Sequence, residues 1–304
     1  MGAGYKNPPW SFKGRALYQL QLVKAKEARK HVPEPLKMVE CFGYTLGGLY
    51  LARYDDSPAG EFDEMVVLAG LVWNPPTSCA WANRVLVSSP LARSHGRQEC
   101  GLPSHCVQFQ QQSTQASPPP NPKKFGAVAG SAHHANVCKS SSRPKLCWWA
   151  ESGSRAANTP GGLVRISNDY TTVELGVPEV PPPGQWRGPS IRMSLPSFSG
   201  LTSWQPALLK YSLDMRARVR PSPPVVVLPS GNDASQKRLG DAIGRSRNAD
   251  SEPYSNRDLF QLFAGKPLLT IAFDDLNMLV GAPQVVQKPN PSSPLRKKAI
   301  TATG

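Results

Sequence analysis

The 304-residue chain lacks any apolar run that approaches the roughly 18 residues a membrane-spanning helix needs. It also begins without an apolar leader, and Lys6 stands where a myristoylation motif requires Ser or Thr. These absences predict a soluble protein with no transmembrane segment. The missing transit peptide favours the cytoplasm, and the chloroplast is the alternative compartment.

The six cysteines show no CxxC spacing, and no secretory leader precedes them. We therefore expect reduced thiols rather than a disulfide framework. His133, His134 and Cys138 lie close together in the sequence, but no second pair of ligands follows them. The sequence predicts neither a metal site nor a cofactor.

Acidic residues are scarce, because 21 Asp and Glu stand against 35 Lys and Arg and give a net charge of +14. Residues 108–160 contribute five of these charges and residues 288–304 contribute four, so most of the excess lies in two segments of low complexity. Binding of single strands requires a basic groove interleaved with aromatic residues, and the sequence shows no such pattern. We predict no nucleic-acid partner.

Helical periodicity is also rare, whereas 32 Pro and 25 Gly favour loops and short strands. The clearest alternation of apolar and polar residues, 208–219, predicts a long strand. Gly47 and Gly48 interrupt another strand pattern and predict a bend or bulge there. The pattern favours a mainly β fold, an antiparallel barrel or sandwich with one or two short helices.

Composition also predicts how the chain is divided. We expect residues 8–107 and 163–287 to form a single domain. Residues 108–162 are rich in Gln, Pro and Ser, which is typical of a disordered low-complexity insertion. Residues 229–257 predict a polar loop within the domain, and residues 288–304 predict a disordered basic tail.

The stretch from Asp55 to Trp73 places a turn and a cluster of acids directly before the apolar run 65–73. The run is rich in β-branched and aromatic residues, which is typical of a strand buried on both faces. Phe62 and Glu64 are two residues apart and share one face if the strand includes them. Such a carboxylate either reaches solvent or lies at the edge of a dry cavity, where its pKa rises.

A short helix is predicted after Ser89, which suits the N-cap position, with Pro90 as the first helical residue and Gly101 just past the end. Pro103 prevents the helix from continuing, so Ser104–His105 should begin the next strand. Side chains at such a boundary often take part in function.

Three local motifs follow one another along the chain: Val32-Pro-Glu-Pro-Leu36, Gly96-Arg97 with Gly101-x-Pro103, and Trp186-x-Gly188-Pro189-x-x-Arg192. Together they resemble the acetoacetate decarboxylase-like superfamily, whose fold is a cone-shaped antiparallel β-barrel with an internal cavity. Gly60-x-Phe62-x-Glu64 is similar to the Gly-x-Tyr-x-Glu of that family, whose Glu faces the active site. The resemblance implies that Glu64 lines the cavity.

The decarboxylases of that superfamily use a lysine that forms an imine with the β-keto acid, next to a second lysine that lowers its pKa. The family pattern is Pro-Lys-Lys at a fixed spacing after Gly-Arg, and Pro103-Ser104-His105 occupies that position here. A serine hydroxyl cannot form an imine, so the sequence disfavours β-keto acid decarboxylation. Lys123 and Lys124 follow a proline too, but they lie in the low-complexity segment, well past the required spacing.

Longer motifs carry a closer resemblance to a group of plant proteins named for neoxanthin deficiency. They include Phe42-Gly-Tyr-Thr-Leu-Gly-Gly48, Asp56-Ser-Pro-Ala-Gly60, the run from Val72 to Trp81, Gly101-Leu-Pro-Ser-His105 and Leu195-Pro-Ser-Phe-Ser-Gly200. The resemblance implies a role in forming neoxanthin from violaxanthin, a xanthophyll step upstream of abscisic acid. It does not supply a catalytic role.

Two hypotheses follow from the residues and the resemblance. In the first, the chain is an accessory or apolar-ligand-binding protein whose partner is an isoprenoid small molecule or a carotenoid-pathway enzyme, with oligomerisation left open. In the second, it is an isomerase that opens a violaxanthin epoxide to an allene, with Glu64 and His105 as acid and base. The predicted ligand-binding residues are Ser104, Trp73, Trp81, Arg84, Trp186 and Arg192.

Overall fold

The computed structural model describes residues 5–112, 162–168, 172–178, 188–228, 262 and 265–288. Within these ranges the strands are β1 Trp10–Lys24, β2 Tyr44–Asp56, β3 Phe62–Asn74, β4 Thr77–Val87, β5 Ser104–Cys106, β6 Gln108–Gln112, β7 Gly162–Ser167, β8 Thr172–Val177, β9 Ser190–Gly200, β10 Leu208–Pro221, β11 Val226–Leu228, β12 Lys266–Val280 and β13 Gln284–Gln287. The helices are α1 Ala25–Ala28 and α2 Pro90–Gln98, and a 3₁₀ turn covers Arg29–His31.

Seven of the strands close into a barrel in the order β12, β1, β2, β3, β4, β9 and β10, and β10 pairs with β12 to complete the ring. The junctions are antiparallel except for β4 and β9, which run parallel where Trp81 lies opposite Phe198. β5 extends the wall beside β4, and β13 adds to β10. The prediction of a mainly β barrel with one or two short helices is confirmed.

The strand register divides the side chains between the inside and the outside of the barrel, because directly paired residues point to the same face. Tyr54 and Phe62 are paired and pack with Phe12 in the interior cluster. Leu51 and Met65 are paired three residues further along, so they point to the other face, and they belong to a separate cluster on the outside. At these pairs the barrel wall therefore has buried side chains on both faces.

A second sheet, in the order β11, β8, β7 and β6, supplies the apolar partners for the outer face. Ile166 and Leu175 from this sheet lie in the same buried cluster as Leu17 of β1. Gln19 links the two layers, since its side-chain oxygen accepts the Val225 N–H at 2.7 Å and its amide donates to the Val225 carbonyl at 3.2 Å. This cover explains the long apolar run in β3.

Helix α2 has the ends that the sequence predicts. The Ser89 hydroxyl accepts the N–H of Ala92, and Pro90 is the first helical residue. The helix packs at the end of the barrel where β1 begins, because His95 lies edge-on to Trp10 at a ring distance of 4.3 Å. Gly96 faces Ser104 so closely that a methyl group at position 96 would lie 2.8 Å from the Ser104 hydroxyl.

Gly48, one of the two glycines at which the sequence predicts a bend or bulge, has a φ of +148°, and the pairing of β1 with β2 continues through it without a register shift. A side chain there would place its first carbon 1.9 Å from the Gln19 carbonyl oxygen of the neighbouring strand. Only glycine fits, so this residue allows β1 and β2 to lie close enough to pair there.

Part of the range predicted as an insertion is strand, because Gln108–Gln112 forms β6 and pairs with β7. Residues 113–161, the predicted loop 229–257 and residues 289–304 of the predicted tail lie outside the described ranges. In the described part of the chain, no helix has the length and apolar character to cross a membrane.

Candidate functional site in the barrel interior

Glu64 lies on the inner face of the barrel wall. Its register partners are Ala52 on β2 and Val87 on β4, and both belong to the interior cluster. Strand β3 begins at Phe62, so Phe62 and Glu64 share one face as the sequence predicts. The Glu64 side chain therefore points to the inside of the barrel.

A short hydrogen-bonded chain of side chains ends on Glu64. The Tyr54 hydroxyl donates to the Glu64 carboxylate at 2.9 Å, and the Tyr50 hydroxyl lies 3.4 Å from that of Tyr54. Desolvation raises the pKa of Glu64 to about 7, although the hydrogen bond from Tyr54 opposes the rise. Burial raises the pKa of both tyrosines above the usual range, so both remain protonated donors at neutral pH.

Several inward side chains around this hydrogen-bonded chain keep some solvent access. Glu64, Val66 and Tyr50 all point inward by register yet are only half-buried. The other half-buried residues that belong to the interior cluster include Tyr18, Ile191, Met193, Leu213, Val219 and Ile271. Inward side chains of a closed barrel keep solvent access where free space remains beside them, so these residues mark a candidate cavity lined mainly by apolar groups.

Ser104 also faces the inside, since it pairs with Val85 of the interior cluster. Its side chain is 1% exposed and packs against Gly96, and its carbonyl accepts the Arg97 guanidinium N–H at 2.7 Å. The residue that stands at the imine-lysine position of the resemblance is thus a small side chain enclosed beneath α2.

His105 lies on the opposite face of the wall from Glu64. It pairs with Leu86, which pairs with Met65, and both partners belong to the outer cluster. Desolvation, followed by the nearby charges of Arg84 and other arginines, lowers the pKa of His105 to about 3, so the ring is neutral. The structure does not bring Glu64 and His105 together.

The remaining predicted ligand-binding residues are spread over several places. Trp81 lines a pocket of about 80 Å³ with Ala82, Leu102 and Phe198. Arg84 pairs with Val67 and is buried in the outer wall, Trp73 is 50% exposed, and Arg192 is exposed opposite Arg216 on the outside. Trp186 lies outside the described residues.

A larger pocket of about 410 Å³ lies beside α2 and the start of β1. Tyr5 stacks on His95 there at a ring distance of 3.4 Å. Lys6, Gln98 and Glu99 also line it, and this polar lining does not suit an apolar ligand. The barrel interior is therefore the better candidate site for such a ligand.

The lysines of the described strands lie away from the cavity. The Lys13 amine donates to the Asp56 carboxylate at 2.9 Å on the outside of the barrel. The Lys210 amine donates to the Asn74 side-chain oxygen at 2.9 Å. Lys24 and Lys266 are exposed at the ends of their strands.

The sequence did not single out Tyr50 and Tyr54. The two are four residues apart in a β-strand and so share the inner face. The Tyr-x-Ala-x-Tyr pattern of residues 50–54 could have predicted that the two tyrosines share a face. It could not predict that Glu64 is their partner, because that depends on the register of β2 with β3.

No family model matches the chain. The chain is 44% identical over 290 residues to the protein Neoxanthin-deficient 1 of Oryza sativa subsp. japonica, a match that covers 93% of this chain and 91% of that protein. It is 41% identical over 292 residues to the Arabidopsis thaliana protein of the same name, covering 94% of this chain and 96% of that protein.

The fold is similar to that of acetoacetate decarboxylase from Legionella pneumophila, with a TM-score of 0.50, 10% identity, and coverage of 94% of this chain and 90% of that chain. This likeness concerns the fold alone and confirms the acetoacetate decarboxylase-like barrel. Because relatives above 40% identity match almost its whole length, the chain belongs to the Neoxanthin-deficient 1 family.

Proposed function

We propose that the protein binds an apolar isoprenoid in the barrel cavity and acts as an accessory or ligand-binding protein in the formation of neoxanthin from violaxanthin. The name of its relatives supports the pathway. One observation carries the binding role: inward apolar side chains such as Val66, Tyr18 and Ile271 remain only half-buried in a closed barrel. A cavity of this kind holds an apolar ligand without any catalytic residue.

The polar groups among the inward side chains, Tyr50, Tyr54 and Glu64, suit the oxygenated end group of a xanthophyll. The Glu64 carboxyl, with a pKa of about 7, is an acceptor when ionised and both donor and acceptor when protonated. A few placed polar groups in an apolar cavity orient a ligand, and the Tyr50–Tyr54–Glu64 chain is such a group.

The decarboxylase hypothesis has little support in the residues. Imine chemistry needs an enclosed amine, whereas Ser104 and His105 stand at the position of the two lysines. The lysines on the described strands are exposed or paired outside the cavity.

Isomerisation of the epoxide is the second candidate, and the raised pKa of Glu64 favours it. Conversion to an allene needs an acid at the epoxide oxygen and a base for a nearby proton, and a carboxyl with a pKa of about 7 populates both states at neutral pH. In this form of the proposal, Glu64 and Tyr54 replace the predicted pair of Glu64 and His105, because His105 faces outward.

The test is to incubate purified protein with violaxanthin in detergent micelles and to follow both product and binding. The accessory role predicts saturable quenching of tryptophan fluorescence and no neoxanthin by chromatography. Neoxanthin formation that is lost in Glu64→Gln but kept in His105→Gln supports the isomerase. Absence of both quenching and product contradicts the proposed function.

A further inference from the structure

The lining of the cavity continues outward along one end of the barrel. Beyond the inward pair Tyr18–Tyr50, the same face of β1 presents Leu20, Leu22 and Lys24. Their partners on β2 and β12 at successive steps are Gly48 and Leu269, Leu46 and Lys266, and then Tyr44. An apolar track therefore runs from the cavity to this end of the strands.

Apolar side chains are accessible along this track. Its face is accessible, because Leu20, Leu22 and Leu46 are half-buried and Leu269 is 46% exposed. The opposite face of the same strands is buried, and its residues include Gln21, Val23 and Thr45. An accessible apolar face of this kind is typical of a contact surface.

Phe42 stands at the tip of this end of the barrel. It is 97% exposed and has a φ of +50° in the tight turn from Cys41 to Tyr44, whose end residues exchange both backbone hydrogen bonds. Both central residues of such a turn need positive φ, which favours Asn followed by Gly. Phe42 strains the backbone and makes little contact with the protein, so folding does not account for it.

Lysines surround the exposed apolar groups. Lys24, Lys26 and Lys266 are exposed, and no ion pair joins them to any residue that the structure describes. Two acids in the connection between β1 and β2 are already paired, since Glu27 binds Lys30 and Glu40 binds Arg29. The surface is therefore both apolar and positively charged.

We propose that this surface docks on an anionic phospholipid bilayer. We call it the mouth rim and define it by Phe42, Tyr44, Leu268 and Leu269, all of them exposed, with Lys24, Lys26 and Lys266. Aromatic side chains partition into the membrane interface, and lysines add attraction to anionic head groups. The apolar track would then lead from the bilayer into the cavity, a part of the proposal that rests on the proposed function.

The test is flotation of the full chain with lipid vesicles that contain no xanthophyll. Vesicles of phosphatidylcholine with roughly one-third phosphatidylglycerol should carry the protein upward, and vesicles of phosphatidylcholine alone should carry much less. Phe42→Asn provides the Asn-Gly turn, so it should raise the melting temperature by a few degrees while lowering the vesicle partition coefficient at least about fivefold.

Further variants test the contribution of the lysines and the position of the docking surface. Lys24→Ala and Lys266→Ala should each lower partitioning into the anionic vesicles about fivefold, with little effect on the neutral ones. Leu91→Gln is the matched control, because Leu91 is 46% exposed on α2 at the other end of β1. It should leave partitioning unchanged.

The outcomes separate this proposal from the proposed function. If the wild-type chain quenches with violaxanthin in detergent but does not float with anionic vesicles, the docking proposal is wrong and the cavity proposal stands. If it floats with anionic vesicles but violaxanthin does not quench its fluorescence, the docking proposal stands and the cavity proposal is wrong. The mouth rim would also be excluded as the docking surface if Phe42→Asn floated like the wild type, or if Leu91→Gln lost as much flotation as Phe42→Asn. The mouth rim would then be covered by a protein partner or by another part of the chain.

Discussion

The Tyr54 hydroxyl donates a 2.9 Å hydrogen bond to the Glu64 carboxylate inside the barrel. Burial of the carboxylate raises the pKa of Glu64 to about 7, and the hydrogen bond from Tyr54 limits this rise. We predict that Tyr54→Phe raises the Glu64 pKa further, by about one unit, because the ionised carboxylate loses its donor. A carboxyl ¹³C titration by NMR would measure the change.

Tyr50→Phe is the control for that measurement. Tyr50 lies 3.4 Å from the Tyr54 hydroxyl and does not bond Glu64 directly, so its loss should move the Glu64 pKa much less. An equal shift in the two variants would mean that the Tyr54 bond has no special part in setting the pKa.

Glu64 should also make stability depend on pH. Its folded pKa of about 7 lies above its ordinary value of 4.5, so the folded state holds the proton more tightly than the unfolded chain. The stabilisation from this group is complete below pH 4.5 and is lost as pH rises to about 7, a change of the order of 3 kcal/mol.

Denaturant unfolding of the wild type and of Glu64→Gln across this pH window checks the prediction. The variant should lack this part of the pH dependence, so its stability relative to the wild type should rise between pH 4.5 and 7 and then level off. Parallel curves for the two proteins would show that Glu64 titrates normally.

The sequence could predict those features of the site that lie within one strand, but not those that depend on how the strands pair. The spacing from Phe62 to Glu64 lies within one strand, so it was enough to place the two side chains on one face, and the family resemblance implied that this face lines the cavity. The position of His105 depends on the parallel pairing of β5 with β4, where His105 meets Leu86. A shift of one residue in that pairing would turn His105 inward, and no local pattern specifies it.

The second sheet was harder to predict for a related reason. β6 is the polar run Gln108–Gln112, which has the composition of a loop, and it is a strand because it pairs with β7. Long-range pairing outweighs local propensity in such a segment.

The close approach of β1 and β2 at Gly48 offers a test of the backbone. Gly48→Ala should destabilise the fold by more than about 3 kcal/mol, since the new methyl group would overlap the Gln19 carbonyl. Gly43→Ala is the matched control, because Gly43 also has positive φ but has open space around it, and should cost only about 1 kcal/mol. Similar losses from the two changes in urea unfolding would argue against close pairing at Gly48.

The absence of imine chemistry can be tested by reductive trapping. When the protein is treated with acetoacetate and borohydride, we expect no added mass on the intact chain, because Ser104 and His105 provide no amine. An acetoacetate decarboxylase treated in parallel should gain the adduct. An adduct on a specific lysine of this chain, lost when that lysine is replaced, would reverse the conclusion.

The most direct test of the account is to fill the cavity and measure ligand binding. Val66→Phe adds volume on the inner face two residues from Glu64, and Val286→Phe adds the same volume on exposed β13. In a tryptophan-quenching titration with violaxanthin, we predict saturable binding by the wild type and by Val286→Phe, and at least about tenfold weaker binding by Val66→Phe. Equal affinity in all three proteins, with Val66→Phe correctly folded, would show that the ligand does not occupy the barrel.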